Sequence, residues 1–300
     1  MGAKLLRLLG WISGGLMLLA VLCLPVTSLP LLSRLMGGTS VAPPSVVFAG
    51  LGLLAGLPLW VSRREHLPRE FVPLAAFFAA ALFSTLFSFF ILITSYKGIS
   101  SLSEGISALL TLGIGISAYL AFSLWSGGRQ RLTWIFRLVN LGGAVMLLWS
   151  FAQLYFMLLR GGQFPAWMVA LQDLVSTNSL YTFAWLHRAN GFAFEPSWLA
   201  NQLNVLYLPY WLGATLSGYT AFPWRLARIS AENVLLVCGL AVLLGSMSRI
   251  GLLTLLLLAA YLVLTFTRFL ARRAARRFSR PLLATVLIAS ALFLLYGLLG

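Results

Sequence analysis

The sequence predicts an all-α membrane protein of about nine transmembrane helices, with a cytoplasmic N-terminus and an amphipathic interfacial helix in the outer loop before the sixth span. Three observations carry that expectation. Hydrophobic residues make up 60% of the chain and charged residues 9%. The mean hydropathy is +0.95. The apolar runs are continuous instead of alternating, which suits helices and not membrane strands.

Helices of roughly 17 to 25 residues cross a bilayer, and runs of that kind fall at 8–25, 44–61, 71–94, 104–125, 134–158, 197–217, 232–247, 250–267 and 281–299. The first follows Lys4 and Arg7 and has the look of a signal peptide, but no small-residue cleavage site follows it and eight further runs do. It reads as a retained helix. Together the nine form one polytopic membrane domain over residues 1–300.

The formal charge of +15 raises nucleic acid as a partner, and its distribution argues against that. With the N-terminus inside, 16 of the 21 Lys and Arg residues fall on the cytoplasmic side, leaving Arg34, Lys97, Arg160, Arg188 and Arg249 outside. This is the asymmetry of the positive-inside rule, and it sets the orientation. The basic run from Arg268 to Arg280 is then a topology anchor beside anionic headgroups. Cys23 and Cys238 lie in apolar spans away from any His, Asp or Glu cluster, so they suggest packing and neither a disulfide nor a metal site. No cofactor is expected.

Loops 62–70, 127–133 and 222–231 are short and basic. The longest connection, about 160–196, lies outside. It holds an amphipathic piece in which Trp167, Met168, Leu171, Leu174 and Val175 oppose Gln172, Asp173 and Ser176. Such a helix would lie along the interface, anchored by Trp167, Tyr181 and Trp185.

The chemistry concentrates in residues 188–204. Pro196 suits a first helical turn, which puts Glu195 at the N-cap of the sixth span beside Arg188. Ser197, Asn201 and Asn204 follow at i, i+4 and i+7, a spacing that puts a hydroxyl and two amides on one helix face, directed into the bundle. Pro209 and Gly213 can bend the same span. A second outer feature is Ser246-Met247-Ser248-Arg249, a tight turn between two apolar runs that holds Arg249 at the boundary. Two arginines, a helix N-terminus and few acids suit a polyanion such as a diphosphate, because guanidinium pairs bidentately with phosphate.

Arg-x-x-Gly-Phe-x-Phe-Glu-Pro-Ser-x-x-Ala (residues 188–200), followed by Ser-Arg-x-Gly (248–251) opening a Leu-rich helix, resembles the O-antigen ligase and O-antigen polymerase superfamily. The resemblance is clearest over about 180–270. It implies a multi-span glycosyltransferase of the cytoplasmic (inner) membrane with its active site facing outside. The donor would be a polyprenyl-diphosphate-linked glycan of the undecaprenyl diphosphate kind. The acceptor would be a glycan, lipid or protein hydroxyl.

Carried onto this chain, the resemblance gives Arg188 and Arg249 the donor diphosphate and puts Glu195 in the same pocket, orienting Arg188 or positioning the acceptor. Ser197, Asn201, Asn204 and Ser248 would line it. The reaction would be metal-independent, with the acceptor hydroxyl attacking the anomeric carbon. The family's large outer loop, with a catalytic His, and its further helices do not appear before Gly300, so the resemblance implies a longer polypeptide. Of the two histidines, His66 sits in a basic loop, while His187 is on the outer side next to Arg188 and carries an imidazole, the side chain most often used as a general base.

Two other classes fit a polar feature inside a bundle. One is a flippase for polyprenyl-linked glycans or another secondary transporter, which would show inverted repeats and mid-membrane charge. The other is a non-catalytic membrane scaffold, in which the polar positions of the sixth span would be freely replaceable.

Overall fold

The computed structural model describes residues 3–35, 41–63, 71–91, 95–96, 99–126, 128–184, 186–226 and 229–272. His66, Lys97, Trp185, most of the basic run 268–280 and the ninth run at 281–299 lie outside the described residues or have side chains outside them. The described chain is predominantly helical. Among the described residues, four helices are long and apolar enough to cross a membrane: Lys4–Leu22, Pro44–Ser62, Gly105–Ser123 and Arg129–Leu159. Shorter apolar helices cover Phe71–Phe87, Ala166–Val175, Ala231–Gly245 and Arg249–Leu264.

The chain divides into two compact units, one built from residues 1–26 and 43–142, the other from 27–42 and 143–300. The first holds α1 (Ala3–Leu22), α3 (Pro44–Arg63), α4 (Phe71–Ile91), α5 (Ser101–Trp125) and the opening turns of α6 (Arg129–Leu159). A two-residue hairpin, β1 (Ser95–Tyr96) with β2 (Ile99–Ser100), precedes α5. The packing of α1 on α3 follows from glycine spacing. Gly10 and Gly14 lie one turn apart on α1, as do Gly52 and Gly56 on α3, and small residues at that interval let two helix backbones approach in an apolar medium. The approach is close enough for the Ser13 hydroxyl to donate to the Gly52 carbonyl at 2.8 Å. Met17, Ala20, Ala49 and Ala121 fill the core beneath it.

The second unit begins with α2 (Pro30–Leu35) and continues through the rest of α6 to α7 (Ala166–Val175) and α8 (Tyr181–Ala184). A broken helix follows: α9 (Pro196–Gln202), a π-helical turn (Leu203–Tyr207) and α10 (Leu208–Ser217). The short pair β3 (Arg225–Leu226) and β4 (Ile229–Ser230) leads to α11 (Ala231–Gly245) and α12 (Arg249–Arg272).

One sequence expectation is corrected in this unit. The stretch 197–217 is not one regular α-helix. Pro209 has no N–H, and its ring would crowd the carbonyl four residues back. The wider turn just before it relieves that crowding, with the Leu208 N–H reaching Leu203 O instead. The stripe of Ser197, Asn201 and Asn204 is also unevenly covered. Asn204 is buried while Asn201 is exposed. The helix α7 forms where the amphipathic pattern puts it, and its buried residues are drawn from both of the predicted faces. Met168, Gln172 and Ser176 are buried, and Trp167 (62% exposed) and Leu174 (68% exposed) face outward. Gln172 is drawn in because both ends of its amide find partners there.

Candidate functional site

The motif region 188–204 and the turn 245–251 all belong to the second unit, and local chemistry explains how they meet. After α8 the chain makes a tight turn with His187 at φ 53° and Gly191 at φ 59°. Glycine is required at the second position for space as well as conformation, since a Cβ there would sit 3.0 Å from Ser150 Oγ. The loop is buried at Ala189, Asn190 and Gly191, so its polar backbone needs internal partners.

Gln153, buried in the middle of α6, supplies most of them. Its Oε1 accepts from the backbone N–H groups of Asn190 (3.2 Å) and Gly191 (2.8 Å). Its Nε2 donates to Asn190 Oδ1 and Gly191 O, both at 3.1 Å. Gln172 Nε2 also donates to Gly191 O (3.3 Å) and Gln172 Oε1 accepts from Trp149 Nε1 (2.8 Å). Asn190 Nδ2 closes the turn on Ala193 O at 2.9 Å. On the far side of the loop, Phe194 N–H donates to Thr27 Oγ1 (2.8 Å) and Phe194 O accepts from Asn178 Nδ2 (2.6 Å). The Phe192 ring stacks on Trp149 with centroids 5.5 Å apart.

The loop held this way is joined to the turn between α11 and α12. Ala189 N–H donates to Gly245 O at 3.2 Å, and Arg188 Nε donates to Ser246 O at 3.2 Å. Arg188 is half-buried. Its Nε is spent on the protein, which fixes the plane of the guanidinium and leaves the two Nη groups for a ligand. Three residues beyond Ser246, Arg249 opens α12 and is exposed, with no acidic residue in that first turn. A cation at the positive end of a helix is unfavourable alone and favourable once an anion arrives.

A second junction lies deeper. The glycine of Ser-Arg-x-Gly, Gly251, meets the final alanine of the longer motif, Ala200, so closely that a Cβ on Gly251 would overlap it. Asn204 Nδ2 donates to Gly251 O at 2.8 Å. Asn204 Oδ1 and the Tyr207 hydroxyl, both on the π turn, are buried without a partner among the described residues.

Of the other expected site residues, Glu195 does sit at the N-cap of α9 with Pro196 behind it, though its side chain does not cap the helix. Its Oε2 accepts from Ser197 Oγ at 3.1 Å. Ser248 is buried at the start of α12, where its Oγ accepts from Gly251 N–H at 3.2 Å and serves as a cap. His187 is exposed beside Arg188, and Asn201 is exposed on the outer side of α9.

Sequence reasoning missed Gln153, whose signal was an amide in the middle of an apolar span. It also missed Glu232, fully buried in the first turn of α11, where Oε1 accepts from Ala221 N–H at 2.9 Å. Comparison with protein-family models, with curated proteins and with solved structures finds no match.

Proposed function

We propose that this chain is a multi-span enzyme of the cytoplasmic membrane that binds a polyprenyl-diphosphate-linked glycan on the outer face and transfers the glycan to an acceptor hydroxyl, as an O-antigen ligase or polymerase does. The observation that carries the reading is the joining of the two motif halves, with Arg188 Nε on Ser246 O and Ala189 N–H on Gly245 O. That junction brings two segments 58 residues apart in sequence to one location, each with an arginine. The positive-inside asymmetry supports the outer location of both, and the exposed Trp167, Leu171 and Leu174 of α7 support an interfacial position for that helix.

In this mechanism the donor diphosphate lies between the Arg188 Nη groups and Arg249 at the N-terminus of α12. The acceptor oxygen forms a bond to the anomeric carbon as the carbon–oxygen bond to the diphosphate breaks. The electron pair leaves with polyprenyl diphosphate, and the arginines stabilise its growing charge. The acceptor proton passes to a base, for which Glu195, aligned by Ser197, and the exposed His187 are the candidates on this chain. Asn204 and Ser248 act from behind, one holding α12 against the π turn and the other capping it.

The test is release of undecaprenyl diphosphate from an undecaprenyl-diphosphate-linked oligosaccharide by membranes carrying the full chain. Arg249→Ala removes an exposed charge with no packing role, and its rate should fall about 100-fold at unchanged expression, the scale of losing one charge-stabilising donor. Arg188→Lys keeps a charge but loses the Nε anchor and should fall as far. Wild-type rates in both variants would refute the enzyme.

A further inference from the structure

The first unit contains a groove of about 870 Å³ enclosed by α1, α3, α5 and the start of α6, within the roughly 300–1,000 Å³ of ordinary ligand pockets. It runs along α1 from Leu6 to Leu18, which at 1.5 Å per residue is about 18 Å. One leaflet of a bilayer has a hydrocarbon depth of about 15 Å. Most of its wall is apolar, and of the glycines that line it Gly15 fronts open space. A Cβ on Gly15 would meet nothing within 4 Å.

One end is different. Arg7 on the second turn of α1, Trp60 and Ser62 near the end of α3, and Gln130 and Arg131 on the first turn of α6 gather there. Arg131 is held in place: its Nη1 donates to the carbonyl of Trp125 at 2.9 Å, and its guanidinium lies 6.0 Å from the centroid of that ring. Trp60 Nε1 is buried in the groove wall with no acceptor among the described residues. Two exposed cations and an unmatched indole N–H at the mouth of an apolar channel one leaflet deep call for an anionic head on an apolar tail.

We infer that this groove binds an anionic phospholipid, its acyl chain along α1 from Gly10 past Gly15 to Leu18, its phosphodiester at Arg7 and Arg131, and a headgroup or ester oxygen on Trp60 Nε1. The inference rests on the chain residing in a membrane and is independent of the glycan-transfer reading.

The experiment is native mass spectrometry of the full chain released from mild detergent, after exposure to palmitoyl-oleoyl phosphatidylglycerol, to the matching phosphatidylcholine, or to inorganic phosphate. Wild type should retain one phosphatidylglycerol in clear preference to phosphatidylcholine, with nothing retained from phosphate. The doubly substituted Arg7→Gln, Arg131→Gln protein should lose that preference by about fivefold per arginine. Gly15→Leu fills the channel from a position with free space and should abolish retention of either lipid. If that variant is not monodisperse, Trp60→Phe, which keeps the ring and removes the donor, should weaken phosphatidylglycerol retention severalfold. Equal retention of the two lipids by wild type overturns the inference, as does an adduct that survives Gly15→Leu or a phosphate adduct without lipid. Recovery of the chain in the soluble fraction of lysed cells would instead defeat membrane residence itself.

Discussion

Glycine brings backbones together in two places in this chain, and the two are held in opposite ways. Where α1 meets α3, Gly10 faces Leu59, Gly52 faces Met17 and Gly56 faces Ser13, and among the described residues the Ser13 hydroxyl donates to Gly52 O across the contact. Where the 188–195 loop meets the rest of the second unit, Gly191 and Gly251 stand among buried amides: Gln153, Gln172, Asn190 and Asn204. The difference follows from what each backbone still owes. A helix in an apolar medium has already paired its own N–H and C=O groups, so shape alone can seat it on a neighbour. A buried loop has not, and each group left unpaired costs about 1–3 kcal/mol. Polar side chains therefore appear where helix stops, and the same requirement gives the candidate site its rigidity.

The sharpest way to break this comparison is Gln153→Leu. The substitution is close in size, but it leaves the Asn190 and Gly191 N–H groups and Asn190 Oδ1 without their partner, while Gly191 O keeps the Gln172 amide. A loss of about 3 kcal/mol or more is expected from orphaning several buried groups at once, read as a lowered denaturation midpoint in detergent and as early proteolysis near residue 190. An unchanged midpoint would mean that the amide network does not hold the loop.

A smaller effect separates the two glycine contacts directly. A Cβ on Gly251 overlaps Ala200, whose own Cβ cannot swing aside, so Gly251→Ala forces two helices apart at a cost of about 1–3 kcal/mol. At Gly52 the nearest atom is Met17 Sδ at 3.0 Å, the far end of a flexible side chain. Gly52→Ala should cost under about 1 kcal/mol, partly offset by alanine's helix preference. Thermal unfolding of the two variants side by side measures the gap; equal losses would show that the two contacts are alike.

The four long apolar helices could be read from the sequence, because continuous runs near the length of a bilayer have few other uses. So could the Pro196 start of α9, the Arg249 start of α12 and the existence of α7. The facing of individual residues could not. A periodicity argument at ~100° per residue groups residues by face but does not say what packs on that face: Asn204 meets Gly251 of α12, while Asn201 stays exposed. For α7 the two-face division grouped Met168 with Trp167 and Leu174, opposite Gln172 and Ser176. In this unit the inner face takes Gln172 because the Gly191 loop offers it a carbonyl and Trp149 an N–H, while Trp167 and Leu174 stay outside. Apolar character does not mark the inside of a protein whose surroundings are themselves apolar. The junction of Arg188 with Ser246 was legible only as two motif halves, since sequence spacing says nothing about which carbonyl a guanidinium will take.

The weakest test falls on the polar contact of the α1 and α3 pair. Gly52 O lies in the middle of α3, where the helix itself supplies an N–H partner, so the Ser13 hydroxyl is a second donor to an acceptor already in use. Removing it orphans nothing on α3. Ser13→Ala should therefore cost about 0.6 kcal/mol, the average for side-chain hydrogen bonds between membrane helices, severalfold below Gln153→Leu by the same unfolding measurement. A loss as large as that of Gln153→Leu would show that glycine packing alone does not hold α1 on α3, and that both regions depend on buried polar groups after all.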